Sequence, residues 1–148
     1  MAEIMAVMPS EAALKPEGLD AVTAASCSSA LAAIKAVEAA GVKAGSRVLV
    51  LGGSGGVGTA AVQLCKDAGV SLVVTTSSQA ALMASLGTTV KTGGLWTNFA
   101  PRFDAIIDCV GGGEHWSRST DVLKVCGDGG CFVAVADRSQ GQGAQPRE

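Results

Sequence analysis

The sequence predicts an α/β fold: a doubly wound parallel sheet of about five strands, with helices on both faces. Three observations carry that prediction. Short apolar runs alternate with longer stretches of helical spacing from about residue 20 to residue 136, as a strand–helix repeat requires. The run Val48-Leu49-Val50-Leu51 is apolar without alternation and ends in a glycine cluster, which suits a strand covered on both faces. Glycines, 20 in 148 residues, fall at the junctions and mark where each element stops. Right-handed crossovers between parallel strands then give the expected order 3-2-1-4-5.

Each element has its own signal. Glu3–Met8 reads as a short strand or extended arm before a Pro-bounded loop. Asp20 is placed to cap a short Ala-rich helix. Ser28 or Ser29 is placed to cap a second helix, which runs through Ala40 with Leu31, Ile34 and Val37 at helical spacing and stops at Gly41. The first buried strand is Val48–Leu51. Thr59–Ala68 follows as a helix with Val62, Leu64 and Cys65 inward, ended by Gly69. Ser71–Thr75 is the second strand, Gln79–Leu86 a helix, and Thr88–Val90 a third strand. Lys91–Arg102 is a polar connection in which Trp96 and Phe99 read as packing anchors. Phe103–Val110 is the fourth strand, His115–Val125 a helix, and Cys131–Ala136 the fifth strand. The sixth strand usual in such sheets is not evident before the polar, Gly/Gln-rich stretch from Asp137 onward.

Composition narrows the function classes. Hydrophobic residues make up 48% and charged residues 16%, with a net charge of −2. That balance describes a globular domain and gives no electrostatic footprint for nucleic acid or an anionic membrane surface. No apolar run is long enough to span a bilayer. Residues 1–16 lack the basic start and apolar core of a signal peptide, so a cytoplasmic location is expected, with organellar targeting in a preceding segment left open. The five cysteines include no CxxC pair and the chain holds one histidine, so no metal site is expected and the thiols read as small buried apolar groups. There is no tyrosine, which removes any mechanism built on a catalytic tyrosine. His115 reads as a solvated residue of a Gly-rich stretch rather than a partner of Asp108 and Glu114 in acid–base chemistry, so no catalytic residue is assigned.

The segment with chemistry in it is Gly52-Gly53-Ser54-Gly55-Gly56-Val57-Gly58. The Gly53-x-Gly55-x-x-Gly58 spacing is weak alone, but here it directly follows a buried strand and opens an amphipathic helix. In that setting it is the phosphate-binding turn of a Rossmann-type domain. The first glycine permits the tight turn, the second lets the backbone approach a diphosphate, and the third lets helix and strand pack closely. Free N–H groups at the helix start then hold the diphosphate. Gly53, Ser54, Gly55, Gly56, Val57 and Gly58 are the expected cofactor-binding residues of the turn. A carboxylate at the end of the second strand would select NAD by binding the ribose 2′-OH, and would also be expected of an S-adenosylmethionine methyltransferase. Thr76, Ser77 and Ser78 stand there instead, so NADP(H) is the expected cofactor, with Lys91 the basic residue nearest by position. No Lys-Ser or Lys-Thr follows the glycines, which excludes a Walker-type NTPase. Cys109 and Val110, at the end of the fourth strand, and Ala134 and Val135, at the end of the fifth, complete the expected cofactor-binding set, because ligands of such sheets bind outside the carboxyl ends of the strands.

From Val42 to Gly58 the chain resembles the medium-chain dehydrogenase/reductase superfamily, and within it the zinc-free quinone oxidoreductase, zeta-crystallin-like branch. Ser85-Leu86-Gly87, Phe103-Asp104-Ala105-Ile106-Ile107-Asp108-Cys109-Val110-Gly111 and Gly129-Gly130-Cys131-Phe132-Val133 resemble successive pieces of the same family in the same order. The resemblance covers about residues 2–136. It implies an NADPH-dependent oxidoreductase that reduces quinones or other α,β-unsaturated carbonyls, with a small-molecule substrate held between two domains. It implies further that residues 1–19 are the remnant of a linker from a catalytic domain not included here, that 20–137 are the dinucleotide domain, and that 138–148 are a polar tail or loop. On that reading this chain alone binds dinucleotide weakly or not at all and lacks appreciable turnover; homodimerisation of a full-length protein stays open. The reading from another class is a non-catalytic nucleotide-binding or sensing module. A short-chain dehydrogenase is excluded by the missing tyrosine.

Overall fold

The computed structural model describes residues 6–91, 102–123 and 130–136. Five strands form one parallel sheet: β1 (Arg47–Leu51), β2 (Leu72–Thr76), β3 (Thr89–Lys91), β4 (Ala105–Asp108) and β5 (Cys131–Ala134). Their order is β3-β2-β1-β4-β5, as expected. Val48, Leu49, Val50 and Leu51 of β1 are all fully buried, as are Ala105, Ile106, Ile107 and Asp108 of β4, because both faces of the central strands are covered.

Two helices, α1 (Ala21–Ala39) and α2 (Gly56–Asp67), lie on one face, where Ala33, Ala36, Ala61, Val62 and Cys65 meet Val48, Val50, Val73 and Ile107. On the other face Leu49, Leu51, Val74 and Ile106 pack with Phe103, Val122 and Phe132. The short helix α4 (Gly113–Ser119) joins this second face through an edge-on contact of Trp116 with Phe132, ring centroids 5.1 Å apart. Helix α3 (Ala80–Ser85) links β2 to β3 and sends Met83 into the interior.

The structure corrects several boundaries. The two helices expected between Asp20 and Ala40 are one. Asp20 caps it, its carboxylate accepting from the N–H groups of Val22 and Thr23 at 2.9 Å. The serines read as a second cap do not stop it, and Ser26 Oγ donates back to the Thr23 carbonyl at 2.7 Å within the helix. Its core face is only partly the expected one: Val37 packs half-buried on the core. Leu31 and Ile34 are exposed, and the buried positions are Ala33, Ala36 and Ala40, because close approach to α2 admits only small side chains. Helix α2 begins at Gly56 rather than Thr59, and α4 covers Gly113–Ser119 rather than His115–Val125. Residues 6–8 carry no regular structure, so the part of the Glu3–Met8 strand that is described is not a strand; a 3-10 turn, Pro9–Glu11, follows. Cys27 is exposed, against the expectation of buried thiols, while Cys65 is buried and Cys109 and Cys131 are half-buried. Trp96, Phe99, Cys126 and the tail from Asp137 lie outside the described residues.

Candidate functional site: the carboxyl edge of the sheet

β1 delivers the chain into the glycine turn at the carboxyl edge of the sheet. Gly52 is in the left-handed region, φ +77°, and makes the sharp bend; the role assigned to Gly53 from spacing belongs to its neighbour. Gly53 is buried, and a Cβ there would overlap the Thr75 hydroxyl and approach Thr75 Cβ to 2.9 Å. Gly58 is the helix–strand packing position: a Cβ would overlap the Gly52 carbonyl oxygen and lie 2.8 Å from Gly53 Cα. Gly55 differs from both. It is exposed, its φ of −74° suits any residue, and a Cβ there would meet nothing nearer than 3.5 Å within the protein. Packing within the protein therefore does not require a glycine at this position.

The turn is tied to its neighbours by the backbone. Gly52 N–H donates to Thr76 Oγ1 at 3.0 Å and Gly53 N–H to the Thr76 carbonyl at 3.1 Å. Thr59 Oγ1 donates to the Gly53 carbonyl at 3.1 Å. α2 then starts at Gly56 with no side chain capping its first turn and no acidic residue in it, so the helix end offers N–H groups and the positive end of its dipole to an anion. Ser54 and Val57 are half-buried beside this end, Gly56 is exposed, and Val57 packs on the core. Gly56 in turn faces α1: a Cβ there would come within 2.9 Å of Ser29 Oγ.

β2 ends beside the turn. Thr76 is half-buried and its hydroxyl accepts from Gly52, a role the sequence did not indicate. Ser77 Oγ accepts from Gln79 N–H at 2.8 Å, and Ser78 is exposed. No carboxylate occupies Thr76–Ser78. The sheet register sets Lys91 directly beside Thr76.

On the other side of the turn, β4 stops at Asp108, and Cys109 and Val110 lie in the loop after it rather than in the strand. The reason is Asp108 itself. Its buried carboxylate accepts from Val110 N–H at 2.9 Å and Gly111 N–H at 3.0 Å, which curls the chain off the sheet after Cys109 N–H has donated to the Leu51 carbonyl. Burial, and then the Asp108 charge, push the Cys109 thiol up to about 11, so it is no nucleophile at neutral pH. Val110 is 56% exposed and lies over Gly52, where a Cβ would come within 2.6 Å of Val110 Cγ2. Ala134 ends β5 opposite Asp108 and is exposed; Val135 follows half-buried, its N–H donating to the Asp108 carbonyl at 2.9 Å.

His115 is the residue whose place sequence reasoning missed. It is on α4, its side chain 26% exposed, with Nδ1 3.2 Å and 3.3 Å from the two carboxylate oxygens of Asp108. The carboxylate oxygens accept, so Nδ1 donates. The separation of seven residues, with three glycines between, gave no periodic signal for this pairing.

All the expected residues thus share one edge of the sheet: the glycine turn at its centre, Thr76–Ser78 on one side, Cys109, Val110, Ala134 and Val135 on the other. A cavity of about 310 Å³ lined by Lys43, Ser46, Asp104 and Cys131 lies at the opposite, amino edge and takes no part in this arrangement.

No family model matches the chain. It is 37% identical over 142 residues to a 2-methylene-furan-3-one reductase of Solanum lycopersicum, an alignment covering 91% of this chain and 35% of that protein. Among solved structures it resembles the quinone oxidoreductase from Coxiella burnetii, with 36% identity and a TM-score of 0.70 over 81% of this chain and 38% of that one. It also resembles a zinc-binding dehydrogenase from Sinorhizobium meliloti solved bound to NADP, with 31% identity and a TM-score of 0.73 over 89% of this chain and 42% of that one. The chain therefore spans about a third of the length of the reductase it matches.

Proposed function

We propose that this chain, a member of the medium-chain dehydrogenase/reductase superfamily of oxidoreductases, is the NADP(H)-binding domain of an enzyme reducing quinones or α,β-unsaturated carbonyls by hydride transfer. The observation that carries the reading is the contrast within the turn. Gly53 and Gly58 are glycines because the protein's own atoms leave no room, whereas Gly55 is a glycine where the protein leaves room to spare. An open glycine at an uncapped helix start fits a diphosphate group. Hydroxyls in place of a carboxylate at Thr76–Ser78, with Lys91 in register beside them, favour a 2′-phosphate over a bare ribose. The dehydrogenase solved with NADP, the quinone oxidoreductase and the tomato reductase support the cofactor and the substrate class.

A dinucleotide bound here supplies the hydride; this chain's residues bind and orient it. The glycine turn and the first turn of α2 hold the diphosphate, Thr76, Ser77 and Ser78 face the adenosine ribose, and Cys109, Val110, Ala134 and Val135 line the groove beyond Gly52. Residues 20–137 form this domain, 1–19 a linker to a second domain, and 138–148 a polar tail. A small-molecule substrate would be held between this domain and a second one.

Thermal melting of this chain with millimolar NADPH, with NADH and with neither tests the reading. NADPH is expected to raise Tm, and NADH to raise it less. No shift with either overturns the dinucleotide assignment, and a larger shift with NADH overturns the choice of NADP(H). Ser77→Asp keeps an acceptor for Gln79 N–H and adds a charge that repels a 2′-phosphate. It is expected to cut the NADPH preference by about tenfold, roughly 1.4 kcal/mol; an unchanged preference places the 2′ end of the cofactor elsewhere.

A further inference from the structure

We propose that His115 and Asp108 form a positioning pair that holds the 109–112 loop, and Val110 with it, as the fixed wall facing the glycine turn. The argument begins with burial. Asp108 is fully buried, and an acceptor there must be satisfied by the protein. Val110 N–H, Gly111 N–H and His115 Nδ1 all converge on it. The two amides belong to the loop and the imidazole to α4, so one carboxylate joins the end of β4, the loop and the following helix. Gly111 and Gly112 both have positive φ, 81° and 101°, and without a side-chain anchor such a segment has many conformations open to it.

α4 is itself anchored. Trp116, next to His115, packs edge-on against Phe132 of β5, and the fully buried Ser119 donates its hydroxyl to the His115 carbonyl. The imidazole is therefore presented from a fixed backbone, and it fixes the carboxylate in turn. Val110 is the consequence: an exposed apolar side chain held over Gly52, at the place where a ligand of the turn would pass. His115 acts through Asp108, which its Nδ1 meets at 3.2 Å. The pair thus sets the width of the groove without contributing chemistry to it.

The importance of this loop for ligand binding rests on the dinucleotide reading; its anchoring does not. The two are separated by measuring amide hydrogen exchange at Val110 and Gly111 in the nucleotide-free chain, alongside NADPH affinity, for wild type, His115→Ala and His115→Asn. Asn can still donate to the carboxylate from nearly the same place. His115→Ala is expected to speed exchange at both amides by about tenfold and to weaken NADPH binding by about fivefold. His115→Asn should restore both. A general loss of stability would instead raise exchange across β1 and β4 and would not be rescued by Asn, and that pattern overturns the proposal. Unchanged exchange at Val110 and Gly111 in His115→Ala overturns it as well, as does loosened exchange with unaltered NADPH affinity. If the wild-type chain binds no nucleotide, the dinucleotide reading fails, and the exchange data alone decide whether the pair holds the loop.

Discussion

The two walls of the site are built in opposite ways. The β1–α2 wall is made by leaving side chains out: Gly52 bends, Gly53 and Gly58 let backbone and Thr75 close up, and Gly55 opens outward. The β4 wall is made by putting side chains in: a buried carboxylate collects two loop amides and a histidine. The first wall is stiff because its parts touch with no slack, the second because three donors share one acceptor. A steric wall tolerates no added atom where its parts touch, at Gly53 and Gly58, whereas a hydrogen-bonded wall tolerates changes of shape but not the loss of its acceptor.

Substitutions on each wall test that contrast. The largest effect is expected from Gly58→Ala, since the new methyl meets backbone of Gly52 and Gly53 that cannot rotate away. It should cost about 3 kcal/mol or more, read as a shift in the urea midpoint; a loss within about 1 kcal/mol would show that the turn yields. Asp108→Ala comes next. It removes the acceptor of two amides and of His115 Nδ1, at a cost of about 2–3 kcal/mol, and Asp108→Asn, which keeps one acceptor oxygen, should lose less by the same urea measurement. Equal losses would mean that packing rather than hydrogen bonding holds the loop.

Gly55→Ala separates folding from binding. The backbone there already suits alanine, so stability should stay the same or rise by up to about 1 kcal/mol, while NADPH affinity falls by about tenfold through the blocked approach of the diphosphate. A destabilised but binding-competent variant would reverse the assignment of that glycine. The smallest effect lies away from both walls, at the fully exposed cap of α1. Hydrogen bonds from the Thr23 hydroxyl, and then from the Thr23 backbone, hold the Asp20 carboxyl below its ordinary value of 3.8. Its folded pKa is lowered, so its contribution is complete above pH 3.8 and is lost as the pH falls through the lowered value. The Tm gap between wild type and Asp20→Ala should therefore be small at pH 6 and close on acidification below pH 4; a gap that widens with acid would contradict the sign.

Much of this was legible from residue order. The strand order, the Asp20 cap and the glycine turn followed from local signals: unbroken apolar runs, a capping residue ahead of a helix, and a spacing that only a strand–turn–helix junction uses. The errors have physical causes too. The exposed side of α1 went unrecognised because Leu31 and Ile34 look like core, yet close packing on α2 selected Ala33 and Ala36. The end of β4 was set two residues too far because hydropathy does not show that Asp108 turns its carboxylate onto the next amides.

Residue order by itself determined that this chain makes a five-stranded parallel sheet with a glycine turn at its centre, since those features depend on requirements within a few residues of one another. Tertiary structure alone decided that Gly52 rather than Gly53 makes the bend, that Thr76 rather than a more distant residue receives Gly52, and that His115 reaches Asp108. Each of these depends on strand register or helix docking, which brings together atoms whose positions no local pattern encodes.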